Sequence, residues 1–171
     1  MPFLHQTRTT FSKDQIDYGT RLLIENMEIE LQDKVLDLGC GYGPLGIVAA
    51  SIAQQGKVYL IDSDIRAIKY SRINAGLNDI TNVVIKLSDG YEEVSGIEFD
   101  EILTNLSGLF TKEVILEFIE GAKKHLYSGG KFYAVVEERN YQSIIKELKR
   151  IFDNSQVLSS KKGFFVVMAI K

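Results

Sequence analysis

The 171-residue sequence has one cysteine, two prolines, two histidines and no tryptophan. The lone thiol, Cys40, cannot form an intrachain disulfide, and such sparing use of cysteine points to a reducing cytoplasm. One cysteine and two histidines are too few for a Cys/His zinc site, so no metal is expected. The longest apolar run, from Phe164 to Ile170, falls far below the ~18 residues of a membrane helix. The start, Met1-Pro2-Phe3-Leu4-His5-Gln6, has no basic stretch leading into an apolar one, so no signal peptide is expected. No Gly/Ser-rich linker, repeat or low-complexity segment divides the chain. What remains is an ordinary folded mixture, 45% hydrophobic and 25% charged, with enough length for one domain over residues 1–171 to bury a core unaided.

Charge is unevenly spread. Residues 121–171 carry ten Lys/Arg against four Asp/Glu, whereas residues 1–120 carry ten against nineteen. A basic carboxyl-terminal third can face a phosphate backbone, or it can be the solvated side of helices and turns.

After an amino-terminal segment, short apolar runs alternate with helical patterns. Residues 34–38, 57–62, 83–87, 99–104 and 131–137 read as strands that mostly lack strict alternation, as strands covered on both faces do. Residues 44–54, 64–76 and 112–126 read as helices, the last with Val114, Ile115, Phe118, Ile119, Ala122 and Leu126 on one face. This alternation predicts a parallel sheet with helices on both sides and right-handed crossovers. Residues 141–152 form an amphipathic helix, and 156–160 and 163–169 flank a polar turn, which predicts a closing hairpin. Residues 14–27 read as a helix capped by Ser12 or Asp14.

The most informative segment is Val35-Leu-Asp37-Leu-Gly39-Cys40-Gly41-Tyr-Gly43-Pro44-Leu-Gly46. A strand enters a glycine-rich turn and leaves as a helix. Glycines reach positive φ and admit close approach of a ligand to the backbone. Pro44 suits the first helical turn, where its missing N–H costs nothing. The run Gly41 to Gly46 fits the dinucleotide pattern G-x-G-x-x-G. Asp37, however, would repel a pyrophosphate and attract an ammonium or sulfonium group. S-adenosylmethionine carries both cations and no phosphate. Asp62 ends the next strand nineteen positions after Gly43, where an acid accepts from ribose hydroxyls. It can equally cap the following helix, with Ser63 and Asp64 as rivals. Asp89, in Leu87-Ser88-Asp89-Gly90, can accept from an adenine amino group or form a plain Asp-Gly turn. Cys40 reads as a small packing residue within the loop rather than a nucleophile.

The segment Asp37-Leu-Gly39-Cys40-Gly41-Tyr-Gly43 resembles the D-x-G-x-G-x-G signature of class I methyltransferases. Thr10-Phe11-Ser12, Asp17-Tyr-Gly19-Thr20, His125-Leu-Tyr-Ser-Gly129-Gly130 and Lys161-Lys162-Gly163-Phe164 extend the resemblance over nearly the whole chain. Together they resemble the MTS ("methyltransferase small") family, whose members include the 16S rRNA guanine-N2 enzymes. The resemblance implies an α/β, Rossmann-like class I methyltransferase fold: a mostly parallel seven-stranded sheet with a carboxyl-terminal antiparallel hairpin and helices on both faces. It implies a helical cap of the cofactor cleft over residues 1–30, S-adenosyl-L-methionine as cofactor and RNA as partner. It also implies cofactor contacts at Asp37, Gly39, Cys40, Gly41, Gly43, Asp62, Ser63, Asp89, Gly90 and Asn105.

The chain departs from the family after the fourth strand. There the family carries Asn-Pro-Pro, whose Asn side chain and a neighbouring carbonyl hold the substrate's amine. Here Asn105 remains but Leu106 and Ser107 replace the prolines. Without those rings Leu106-Ser107-Gly108 is expected to be looser. The resemblance makes Asn105 the catalytic residue, orienting a base nitrogen toward the methyl group. Phe110 is either a stacking face for a flipped base or a core residue. Three functions remain open: methylation of a base nitrogen in RNA, methylation of a small molecule or protein, and cofactor binding without catalysis.

Overall fold

A computed structural model describes residues 16–108 and 110–171. The elements are α1 (Tyr18–Ile24), β1 (Lys34–Leu38), α2 (Pro44–Ile52), β2 (Lys57–Asp62), α3 (Ile65–Leu77), β3 (Val83–Leu87), β4 (Phe99–Asn105), α4 (Lys112–His125), β5 (Leu126–Glu137), α5 (Glu138–Phe152), β6 (Gln156–Lys161) and β7 (Phe164–Ile170). All seven strands join one sheet in the order β3-β2-β1-β4-β5-β7-β6. The pairs from β3 to β5 are parallel, and β7 runs antiparallel to both β5 and β6. This is the architecture the sequence predicts.

The sheet carries a core on each face. Leu36, Leu38, Ile102, Phe132 and Val136 join α4 and α5 through Phe118, Ile119, Ile144 and Leu148. Val35, Val58, Leu60, Leu103 and Val135 join α1, α2 and α3 through Leu22, Leu23, Ile47 and Ile68. Neighbours along a strand thus face opposite cores, which is why the strand sequences are apolar throughout. Strand order reverses between β1 and β4, so their carboxyl ends open a crevice.

Element ends differ from the periodicity where polar residues decide them. Helix α1 is shorter than the predicted 14–27. Asp17, in extended conformation, caps it by accepting from Thr20 N–H, and Asn26 Nδ2 binds the Leu22 carbonyl near its end. Asp17 therefore takes the capping role assigned to Ser12 or Asp14, which lie outside the described residues, as do Thr10 and Phe11. Helix α5 begins three residues before the predicted 141, because Gly163 O accepts from Glu138 N–H. Strand β5 starts at Leu126, five residues before the predicted 131, and Gly129 N–H binds Lys171 O while Lys171 N–H binds Gly130 O.

Helix α2 lies close on β2 because residue 46 has no side chain. A Cβ there would sit 2.5 Å from Cγ of the buried Leu60. Gly46→Ala is expected to lower stability by about 1–3 kcal/mol through overpacking. Gly76→Ala in α3, where a Cβ meets nothing within 4 Å, is expected to raise it by about 0.5–1 kcal/mol. Urea midpoints of the two variants check both signs.

Candidate active site

Gly39, Gly41 and Gly43 between β1 and α2 have φ of 70°, 57° and 90°, the left-handed region that glycine enters freely. Their backbone groups are met from neighbouring elements. Gly39 N–H and Cys40 N–H both donate to Ile61 O at 3.0 Å. Asp62 Oδ2 accepts from Gly41 N–H at 2.8 Å, and its Oδ1 accepts from Asp64 N–H at 2.9 Å. Ser71 of α3 donates to Gly41 O at 2.8 Å, a hydroxyl shared with Ala67 O, and Asn74 Nδ2 donates to Tyr42 O at 2.8 Å. Sequence reasoning missed Ser71 and Asn74. Both are fully buried, and their three-residue spacing on the same face of α3 as Ile68 was the signal available.

Beside this loop the structure brings Gly39, Asp62, Ser63, Asp89, Gly90 and Phe110 together on the wall of a cavity of about 280 Å³. Leu38, Ile61, Ser88, Val114, Glu117 and Phe118 complete the wall. Among the described residues it holds three carboxylates and no basic side chain. A second opening of about 360 Å³ adjoins it, sharing Asp89 and Glu117. Asp62 does not cap α3; Asp64 does, accepting from Arg66 N–H. Each Asp62 oxygen accepts one backbone hydrogen and keeps capacity for another. Phe110 packs against Phe118 with ring centroids 5.8 Å apart, so it borders both the core and the cavity.

Asp37, Cys40, Gly41, Gly43 and Asn105 do not line this cavity. Gly43 is the amino-terminal cap of α2 and packs against Leu60, Ser71 and Ile47. A Cβ at Gly41 meets nothing within 4 Å among the described residues, so they leave the loop open on that side. Cys40 is buried with Sγ 3.6 Å from Ser71 Oγ, and burial pushes its thiol well above the usual range. That suits the packing role read from the sequence.

Asp37 is only 1% exposed. Its Oδ2 accepts from Gly46 N–H at 2.7 Å, while Oδ1 has no partner among the described residues. Burial, with a smaller contribution from the negative Asp62, pushes its carboxyl up to about 7.

Asn105, at the end of β4, is enclosed by polar partners. Its Nδ2 donates to Thr20 Oγ1 at 2.9 Å and to Asp17 Oδ1 at 3.3 Å. Its Oδ1 accepts from Ser107 N–H at 2.9 Å and from the Ser107 hydroxyl. Leu106 N–H binds Val135 O at 2.9 Å and its side chain is fully buried. Leu106 and Ser107 are thus held by hydrogen bonds and burial in the absence of prolines.

The methyltransferase small domain model matches residues 3–168. The chain belongs to this family. It is 37% identical over 164 residues to an uncharacterised protein, YbxB, of Bacillus subtilis, covering 94% of this chain and 82% of that one. It is 37% identical over 163 residues to ribosomal RNA small subunit methyltransferase C of Hamiltonella defensa, covering 93% of this chain and 47% of that enzyme. Among solved structures it resembles the T. thermophilus 16S rRNA N2 methyltransferase RsmC in complex with AdoMet and guanosine. The TM-score is 0.83 at 25% identity, over 94% of this chain and 45% of that one. The chain thus spans about half the length of these two rRNA methyltransferases.

Half of the ten basic residues in the carboxyl-terminal third are paired internally. Lys123, Lys131, Arg139, Arg150 and Lys171 each face an acid within 4 Å. Lys161 and Lys162 are exposed in the hairpin turn, with Lys162 Nζ 4.8 Å from the centre of the Tyr18 ring. Among the described residues no group of His, Cys, Asp or Glu is arranged to hold a metal ion, and no helix is long and apolar enough to cross a membrane.

A carboxyl whose pKa is higher in the folded than in the unfolded chain binds its proton more tightly when folded. Stability therefore falls as pH rises from about 4 to about 7 and then levels off. Asp37→Asn removes this titration and keeps an acceptor for Gly46 N–H. Glu101, buried near the start of β4 and pushed up to about 9, is common to both proteins. The expected outcome is that the ligand-free wild type loses stability between pH 4 and 7 relative to Asp37→Asn. Parallel thermal melts across that range check it.

Proposed function

We propose that this chain is an S-adenosylmethionine-dependent methyltransferase acting on a base nitrogen of ribosomal RNA, of the guanine-N2 type. The observation that carries the reading is the cavity wall with Asp62, Asp89 and Glu117 and, among the described residues, no lysine or arginine. Such a wall disfavours a pyrophosphate and suits a nucleoside with a cationic tail. The unpartnered Oδ1 of Asp37 and the open side of Gly41 fit the same ligand. Family membership and the rRNA methyltransferase relatives supply the RNA side. Such a substrate puts the work in the cytoplasm. In this reading residues 1–171 are one methyltransferase domain, and the cap expected over residues 1–30, of which 1–15 lie outside the described residues, covers the cleft. The docking of Asp17 and Thr20 onto Asn105 supports that cover.

When bound, S-adenosylmethionine supplies a methyl group already activated on a sulfonium, so alignment does most of the remaining work. The ribose hydroxyls fall to Asp62, beside Ser63. Asp89 accepts from the adenine amino group next to Gly90. Phe110 and Phe118 exclude water from the base. The backbone at Gly39 and Gly41 admits the ligand close to the loop. Asp37, beneath the loop, provides negative charge for the cationic tail. No strong base is required, because the proton on nitrogen leaves after attack.

The filled acceptor of Asn105 favours a second reading, a module that binds the cofactor without catalysis. Tritiated-methyl transfer to total RNA, protein and metabolite pools separates the readings. Label in RNA supports the first, label in protein or metabolites redirects the substrate, and binding without transfer supports the second.

Calorimetry is expected to show binding of S-adenosylmethionine and none of NADH. Asp37→Asn removes the negative charge beneath the loop and should weaken binding about tenfold to a hundredfold, from a loss of roughly 1.5–3 kcal/mol. Preference for NADH would overturn the cofactor assignment.

A further inference from the structure

The amide of Asn105 has one possible orientation. The Asp17 carboxylate only accepts and the Ser107 N–H only donates, so Nδ2 must face Asp17 and Oδ1 must face Ser107. An amide oxygen has two lone pairs, and Ser107 occupies both with its N–H and its hydroxyl. A substrate amine cannot reach Asn105 Oδ1 without displacing one of them. The hydroxyl of Ser107 has given its only hydrogen to Asn105, so its own lone pairs remain to accept. Donation into an amide carbonyl makes a hydroxyl oxygen a better acceptor. The Ser107 backbone is held through the buried Leu106, whose N–H is fixed to Val135 O.

We propose that Ser107 Oγ is the acceptor that meets the reacting nitrogen of the substrate, and that Asn105 is the positioning residue that aims and polarises it. This deepens the methyltransferase reading and rests on it. A proline at position 107 would carry neither donor. The serine thus changes which atom faces the substrate while keeping an acceptor at the end of β4. In the transfer, the nitrogen lone pair forms the N–C bond as the C–S bond breaks and its electron pair passes to sulfur. The cationic nitrogen then gives its proton to water. Ser107 Oγ accepts a hydrogen bond from the nitrogen throughout and takes no proton.

The test compares wild type, Ser107→Ala and Ser107→Thr on unmodified 16S and 23S ribosomal RNA with tritiated S-adenosylmethionine. Ser107→Ala should lower kcat about tenfold to a hundredfold, with calorimetric affinity for S-adenosylmethionine unchanged. Ser107→Thr, which keeps the hydroxyl, should recover most of the loss. Wild-type or faster turnover in Ser107→Ala would overturn the proposal, because the freed Asn105 Oδ1 would then be the acceptor. Absence of transfer by the wild type would instead count against the rRNA reading. In that case guanosine titrated in the presence of S-adenosylhomocysteine reads the same contact. Weaker binding to Ser107→Ala, with Ser107→Thr close to wild type, supports Ser107 as the acceptor; equal binding overturns it.

Discussion

The structure depends on satisfying the backbone of residues 39–43. Three left-handed glycines turn the chain from β1 into α2, leaving amide and carbonyl groups that neither element can pair. A buried unpaired backbone group costs about 1–3 kcal/mol, so the turn needs partners from elsewhere in the fold. They come from the end of β2 through Ile61 and Asp62, and from α3 through Ser71 and Asn74. The reversal of strand order brings β4 and Asn105 to the same edge of the sheet. The loop's backbone bonds are thereby made without a ligand, and a preorganised site loses less free energy on binding.

The same edge concentrates negative charge. Asp37 lies buried under the loop, and Asp62, Asp89 and Glu117 line the cavity. The Asp37 carboxyl, pushed up to about 7, makes the ligand-free protein less stable near neutral pH than an uncharged residue would. That cost is intelligible if the natural ligand brings positive charge, since its binding then restores what burial takes away. Internal ion pairs absorb half of the basic residues at the carboxyl end, which leaves Lys124, Lys146 and Lys149 on helices and Lys161 and Lys162 at the hairpin turn as exposed cations.

Hydrophobic pattern and glycine spacing made the sheet legible from the sequence. Strands β1, β2 and β3 begin and end where their apolar runs do, and Asp37, Asp62 and Asp89 fall at or just beyond strand ends on one edge. Side-chain hydrogen bonds between distant segments were not legible. Ser71 and Asn74 look like ordinary polar residues of an amphipathic helix until α3 is laid against the loop. The first turn of α5 is entirely polar and exists because a glycine 25 residues later caps it. The loss of both prolines after Asn105 reads as loosening in sequence, whereas Leu106 burial and the Ser107 bonds tighten the same place. Periodicity reports which face is buried; it carries no record of which polar atoms meet across the fold.

We propose Asp37 as the charge complement of a cationic cofactor, and proton linkage reads that pairing. With its pKa near 7 in the empty protein, Asp37 is largely protonated at pH 6, and a cation bound above it must drive the proton off. Calorimetric titration with S-adenosylmethionine at pH 6, in buffers of different ionisation enthalpy, should show release of close to one proton per ligand bound by the wild type. Asp37→Asn should release almost none. Binding with equal proton release in the two proteins would contradict the account.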